Sequence, residues 1–182
     1  MSTGEKDMRA QMPLQSWLTS QIIMDIDTTL NINPNISLKE YIDGQKKKTN
    51  VWNENSDFPI YNIGYLFMMA YAFLVVPKES IEKYGLNVFS AKIEKYLDTM
   101  TIRTNRGQRN LGKIENIIRH IRNAISHANI DIVPEHNKLI FVDEYQDKTT
   151  FDGDMEINKF KAFLVEYYKT YYESYHQKFI SK

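Results

Sequence analysis

Apolar positions along this chain recur mostly at helical spacing, weakly in the first third and strongly afterwards. Leu14, Trp17, Leu18, Ile22, Met24 and Ile26 predict a helix from Leu14 to Leu30, ended by Asn31 to Asn35 with Pro34. Ile36 to Asp43 predicts a short second helix, capped by Ser37 and stopped by Gly44. Lys46 to Ser56 has the composition of a basic, Asn-rich linker, so the compact part is expected to begin near Asp57. That gives an N-terminal helical arm and linker over 1–56 and a domain over 57–182. From Ile60 to Val76 the chain is apolar almost all the way round, the pattern of a central buried helix, until Pro77 interrupts it. Met68 and Met69 in that run suit gap-filling core better than a cofactor pocket.

Val88, Phe89, Ile93, Tyr96 and Leu97 predict a second core helix over Val88 to Met100, and the polar stretch Thr101 to Asn110 with Gly107 predicts a loop. A third helix follows from about Leu111 to Asn129. Ile130 to Val133 and Lys138 to Val142, joined by Pro134-Glu135-His136-Asn137, predict a short β-hairpin, and Asp152-Gly153-Asp154 another turn. The last helix, Ile157 to Phe179, carries eight aromatic residues from Phe160 to Phe179. Such a row either seals a helical bundle or stacks bases, and core packing is the commoner use. The expected fold class is mainly α: a helical bundle with a short β-hairpin after the third helix.

The third helix is the unusual one. Ile114, Ile117, Ile118, Ile121, Ile125 and Ala128 fall on one side and predict a core face. The opposite side holds Asn116, Arg119, His120, Asn123, Ser126 and His127. A merely solvated face is built largely from Lys and Glu, whereas Asn, Ser and His are mediocre helix formers, so something other than solubility selects this set.

Composition narrows the choices. With 182 residues, 42% hydrophobic and 25% charged, the chain can bury a substantial core. The absence of cysteine excludes disulfides, zinc-thiolate sites and iron–sulfur clusters, and is compatible with the cytoplasm. Residues 1–9 lack the basic start and apolar run of a secretory signal, and Leu66 to Val76 is too short to cross a bilayer. Formal net charge is zero, yet Arg103, Arg106, Arg109, Lys113, Arg119 and Arg122 cluster against Glu115 alone, while Asp143 to Glu156 holds six acids against Lys148. The two patches either complement each other, within one molecule or across a dimer, or the basic one tracks a phosphate backbone.

Metal chemistry fits poorly. His120 and His127 lie two turns apart, about 10 Å along a helix, and no HExxH pair, calcium loop, GxSxG elbow or Gly-rich phosphate loop occurs. No cofactor is expected. What remains is Arg122, Asn123 and His127. Asn123 and His127 are i and i+4 neighbours, and Arg122 is long enough to lean toward the imidazole. A phosphate-binding guanidinium beside an imidazole suits RNA cleavage by transesterification, which needs a proton acceptor, a cation and a proton donor. The competing reading pairs Arg122 with Glu115 and leaves His127 to cap the helix end, where a cation is favoured.

Arg122-Asn123-Ala124-Ile125-Ser126-His127 resembles the Arg-x4-His signature of the HEPN superfamily, and its place on a third helix followed by a hairpin and a long terminal helix is similar to plasmid-type HEPN nucleases. The likeness covers about Asp57 to Phe179, and the N-terminal arm has no counterpart in it. The resemblance implies a metal-independent endoribonuclease acting as a homodimer, often as a toxin or in defence against phage. It casts Arg122 and His127 as the catalytic pair and Asn123 as the residue that orients His127 or the RNA. Arg119, His120 and Ser126 would line the walls, and Arg103, Arg106 and Arg109 would hold phosphates. HEPN toxins silenced by a nucleotidyltransferase usually carry Tyr two residues after the His. Here that position is Asn129, so that antitoxin is not expected and any regulator is of another kind. Two alternatives stay open: a catalytically silent HEPN module that binds RNA, a nucleotide or a protein, and a structural dimer with a polar helical seam.

Overall fold

A computed structural model describes residues 23–26, 29–49, 63–106 and 111–179. The chain divides into two compact units, Met1–Met68 and Met69–Lys182. Most of the first predicted helix and the expected boundary near Asp57 lie outside the described residues, although 23–26 and 29–32 are helical.

In the first unit, helix α1 (Leu38–Thr49) starts where its pattern predicts. The Ser37 hydroxyl accepts the Glu40 N–H at 3.2 Å, and the Glu40 carboxylate accepts the Ser37 N–H at 2.9 Å, closing a reciprocal cap. Gly44 does not stop the helix. No left-handed turn forms there, and the lysines expected in a linker, good helix formers, continue it. Buried Tyr41 packs with Ile26, Ile36 and Ile42, while the Asp25 carboxylate accepts hydrogen bonds from Gln45 and Thr29.

Helix α2 (Ile63–Ala70) passes directly into a π-helical turn, Tyr71–Val75, where the Val76 N–H bonds the Tyr71 carbonyl five residues back. Pro77, which has no N–H to give, follows this widened turn. The run is less central than its composition suggests. Leu66, Ala70 and Leu74 form a buried stripe, but Tyr71 and Val76 are exposed. Short helices α3 (Lys78–Tyr84) and α4 (Ala91–Leu97) come next, α3 closing on Gly85 in a left-handed conformation with φ of 59°. Helices α5 (Lys113–Ser126) and α6 (Ile157–Phe179) complete the helical side. The first half of α6 supplies core, with Phe160, Phe163, Leu164 and Tyr167 buried. Its second half leaves Tyr168, Tyr172 and Phe179 exposed at their edges.

The expected bundle with a hairpin is corrected by a four-stranded antiparallel sheet in the order β1-β4-β3-β2. Strands β2 (Ile130–Val133) and β3 (Lys138–Tyr145) form the anticipated hairpin. Strand β1 (Thr101–Asn105) lies where a loop was expected, and β4 (Lys148–Glu156) runs straight through the expected Asp152-Gly153-Asp154 turn. Two physical facts hid them. As an edge strand, β1 can be polar on its wet side. The acids of β4 are neutralised inside the sheet: Arg103 holds Asp152 at 2.5 and 2.9 Å and Asp154 at 2.5 Å, and Lys138 reaches Asp154 at 2.7 Å. Burial alone would raise the Asp154 pKa, but these two cations hold it below the ordinary carboxylate range. Gly153 fits because a Cβ there would sit 3.0 Å from the Phe151 ring and 3.3 Å from the Thr101 carbonyl. Among the described residues no helix is long and apolar enough to cross a membrane.

Candidate functional site

Helix α5 begins at Gly112, whose N–H is accepted by the Glu115 carboxylate at 3.0 Å. Its isoleucine stripe is core as its spacing predicts, with Ile117, Ile118, Ile121 and Ala124 buried. The opposite side is not one surface. Asn116 and His120 are buried as well: strand β3 packs on this helix, and Phe151 of β4 covers the His120 ring.

His120, 0% exposed, stacks on Phe151 with ring centroids 4.9 Å apart, and its Nδ1 lies 2.7 Å from the Asp143 carboxylate. The carboxylate only accepts, so Nδ1 carries a proton and donates it to Asp143. Nε2 lies 2.9 Å from the Arg119 guanidinium and 3.3 Å from the Arg106 carbonyl. Burial pushes the His120 pKa down, against the pull of Asp143. The same Asp143 oxygen accepts the Asn123 side-chain N–H at 3.0 Å, and Arg119 approaches it at 3.8 Å. With its amide nitrogen committed, Asn123 keeps its side-chain oxygen for other contacts.

Beyond this knot the helix runs out of cover. Ser126 and His127 are exposed, and the Ser126 hydroxyl donates back to the Arg122 carbonyl at 2.9 Å. His127 ends the helix with its N–H on the Asn123 carbonyl at 2.9 Å. Ala128 then takes a left-handed conformation with φ of 55°, unusual for a residue with a Cβ, and the Asn129 N–H reaches back to the Ala124 carbonyl at 2.8 Å.

A cleft of about 650 Å³ opens on the second unit between α3 and α5. Arg119, Arg122 and Asn123 form its polar wall, Ile81, Val88 and Phe89 its apolar one, and Tyr167 of α6 contributes from the core side. Arg122 is half-buried and meets no carboxylate among the described residues; the Arg122–Glu115 pair that the sequence allows does not form. Its charge lies beside the Tyr167 phenol, whose pKa burial raises and Arg122 draws back, although the two make no hydrogen bond of good geometry.

The structure thus groups Arg119, Arg122 and Asn123 on one wall and sets His127 just past it, outside the cleft lining. Two residues sit otherwise than expected. Arg103 has its guanidinium paired with Asp152 and Asp154, and His120 is buried between Asp143 and Phe151 instead of lining an open wall. Arg106 is exposed at the end of β1, and Arg109 lies outside the described residues. The residue that sequence reasoning missed is Asp143, at the heart of the knot. Its signal was parity: Leu139, Phe141 and Asp143 share the inward side of β3, so the acid stands where an apolar residue belongs. Among the described residues no three His, Asp or Glu side chains converge as metal ligands would.

A family model described as HEPN pEK499 p136 matches residues 1–178. The match begins at residue 1, so the N-terminal stretch that had no counterpart in the sequence reading falls within the family's pattern. No curated protein and no solved structure matches the chain.

Proposed function

We propose that this chain, which belongs to the HEPN pEK499 p136 family, is a metal-independent endoribonuclease working as a homodimer, with Arg122, Asn123 and His127 as its reacting set. The observation that carries the reading is a contrast among the cations of one region. Arg103, Arg119 and His120 all have carboxylates close by, whereas Arg122 meets none among the described residues and His127 stands exposed little more than one turn further on. Polar groups left uncommitted on a rigid helix are available to a ligand.

On this reading the His127 imidazole removes the proton of a 2′-hydroxyl, the 2′-oxygen attacks phosphorus, and the bond to the 5′-oxygen breaks. Arg122 meets the charge that develops on the phosphorane, and the Asn123 side-chain oxygen, freed by the bond to Asp143, accepts from the ribose. The departing 5′-oxygen needs a proton donor. One copy carries one such imidazole, so His127 of the partner subunit supplies it, and a second copy is part of the reaction. The products are a 2′,3′-cyclic phosphate and a 5′-hydroxyl. In the cell such an activity suits a cytoplasmic toxin or anti-phage effector held in check by a regulator other than a tyrosine-modifying one.

The test is to incubate wild type and His127→Ala with RNA in EDTA and to analyse the ends. Cyclic-phosphate ends from wild type alone support the reading; cleavage absent from both, or equal in both, sinks it. A second reading, a HEPN module that binds RNA, a nucleotide or a protein without cutting, is favoured by one fact: His127 does not line the cleft that Arg122 and Asn123 line. It expects equal RNA binding by wild type and His127→Ala, with no cut ends in either.

A further inference from the structure

Three buried side-chain polar atoms lack a hydrogen-bond partner among the described residues: Arg119 Nε, Arg122 Nε and the Tyr167 phenol oxygen. All three residues line the one cleft between α3 and α5. Buried polar groups are nearly always satisfied, and a protein that leaves three together is incomplete without what completes them. The two guanidinium nitrogens can only donate, and the phenol carries a third proton. What fits is therefore rich in acceptors and negatively charged. Two acids also line the cleft: the Glu115 carboxylate is turned to the Gly112 N–H, and Glu82 stands on α3 with Lys78, a further lining cation, one turn before it.

Tyr167 is the informative member. It is completely buried, and the same helix uses Phe at 160 and 163 in equally buried positions. Phe would fill the same space without burying a hydroxyl, so packing alone does not select the oxygen. We propose that the cleft seats one backbone phosphate of a nucleic-acid strand, held by Arg119 and Arg122 from α5 and by the Tyr167 hydroxyl from α6. Tyr167 is thus a substrate-binding residue two elements away from the signature helix. The apolar wall of Ile81, Val88 and Phe89 takes the adjoining nucleoside. The inference rests on the RNA-directed reading of α5.

The test uses the full chain and Tyr167→Phe. Binding is measured to a labelled 2′-O-methyl oligoribonucleotide, which cannot be cut by attack of a 2′-hydroxyl, and to a methylphosphonate strand of the same sequence, whose backbone has no charge. The variant should melt at the same temperature as wild type or higher, because an unpaired hydroxyl is gone from the core. It should bind the charged strand about tenfold more weakly. The uncharged strand should bind both proteins equally weakly. Equal affinity of wild type and variant for the charged strand overturns the inference, as does a melting temperature that falls along with affinity or a wild type that does not bind the charged strand. Cleavage of unmodified RNA is scored separately. Wild type that binds through Tyr167 but cuts nothing removes the nuclease reading and leaves the phosphate seat, and cutting without any effect of Tyr167→Phe does the reverse.

Discussion

His120 and His127 sit seven residues apart on the same helix and have opposite surroundings. His120 is clamped by Asp143, capped by Phe151 and held neutral by burial, while His127 closes the helix in the open. The difference comes from what lies over the helix. Asp143 of β3 and Phe151 of β4 close over His120, whereas His127 stands exposed at the helix end. Residue type therefore does not separate the two histidines here; cover does. The buried one shares the Asp143 carboxylate with Arg119 and Asn123, and the uncovered one is the one that the proposed nuclease reading uses.

The comparison is broken most severely at the open end. His127→Ala should lower the rate of RNA cleavage by about 10²- to 10⁴-fold while changing the unfolding free energy read from a urea melt by no more than about 0.5 kcal/mol. A large loss of stability would mean that His127 also belongs to the structural half. Asp143→Ala should do the converse. It strands the His120 Nδ1–H and the Asn123 amide in the interior, at a cost of roughly 3 to 5 kcal/mol by chemical denaturation. If it unfolds no more easily than wild type, the knot is not what fixes the helix.

Acidification separates the two histidines more gently. The folded His120 pKa lies below its ordinary 6.5, so as pH falls through 6.5 the unfolded chain takes up its proton first. Stability contributed by keeping His120 neutral is present above that pH and is lost between it and the lower folded value. A pH series of melting temperatures should show this slope in wild type and a shallower one in His120→Gln. The smallest effect is expected at Ala128. Replacing it with Gly relieves the left-handed backbone and should add about 1 kcal/mol without changing the cleavage rate, read from a denaturant melt and an end-labelled RNA assay.

Much of this was legible in the sequence. The isoleucine spacing located α5, the Pro134 turn located the hairpin, and α6 runs between the residues named for it. The rest was hidden for reasons particular to each element. A helical wheel separates Asn116 and His120 from the isoleucines but does not say that a sheet covers them. Strand β4 looked like a turn because Asp-Gly-Asp is costly to bury until Arg103 and Lys138 arrive from other strands, and that meeting is non-local. The two oppositely charged patches meet in part, since Arg103 and Arg119 of the basic stretch pair with Asp152, Asp154 and Asp143 of the acidic one.

Only Ala128 and Asn129 separate His127 from the first residue of β2, and both are tied down. Asn129 bonds backward to Ala124 and, through its carbonyl, accepts from Val142 of β3 at 3.0 Å. The end of the signature helix is riveted to the neighbouring strands and has no hinge. A switch acting on this protein would thus have little play to exploit at that turn. On the proposed nuclease reading, inhibition would come from a shield laid over His127 or from keeping two copies apart, not from bending the residue out of line.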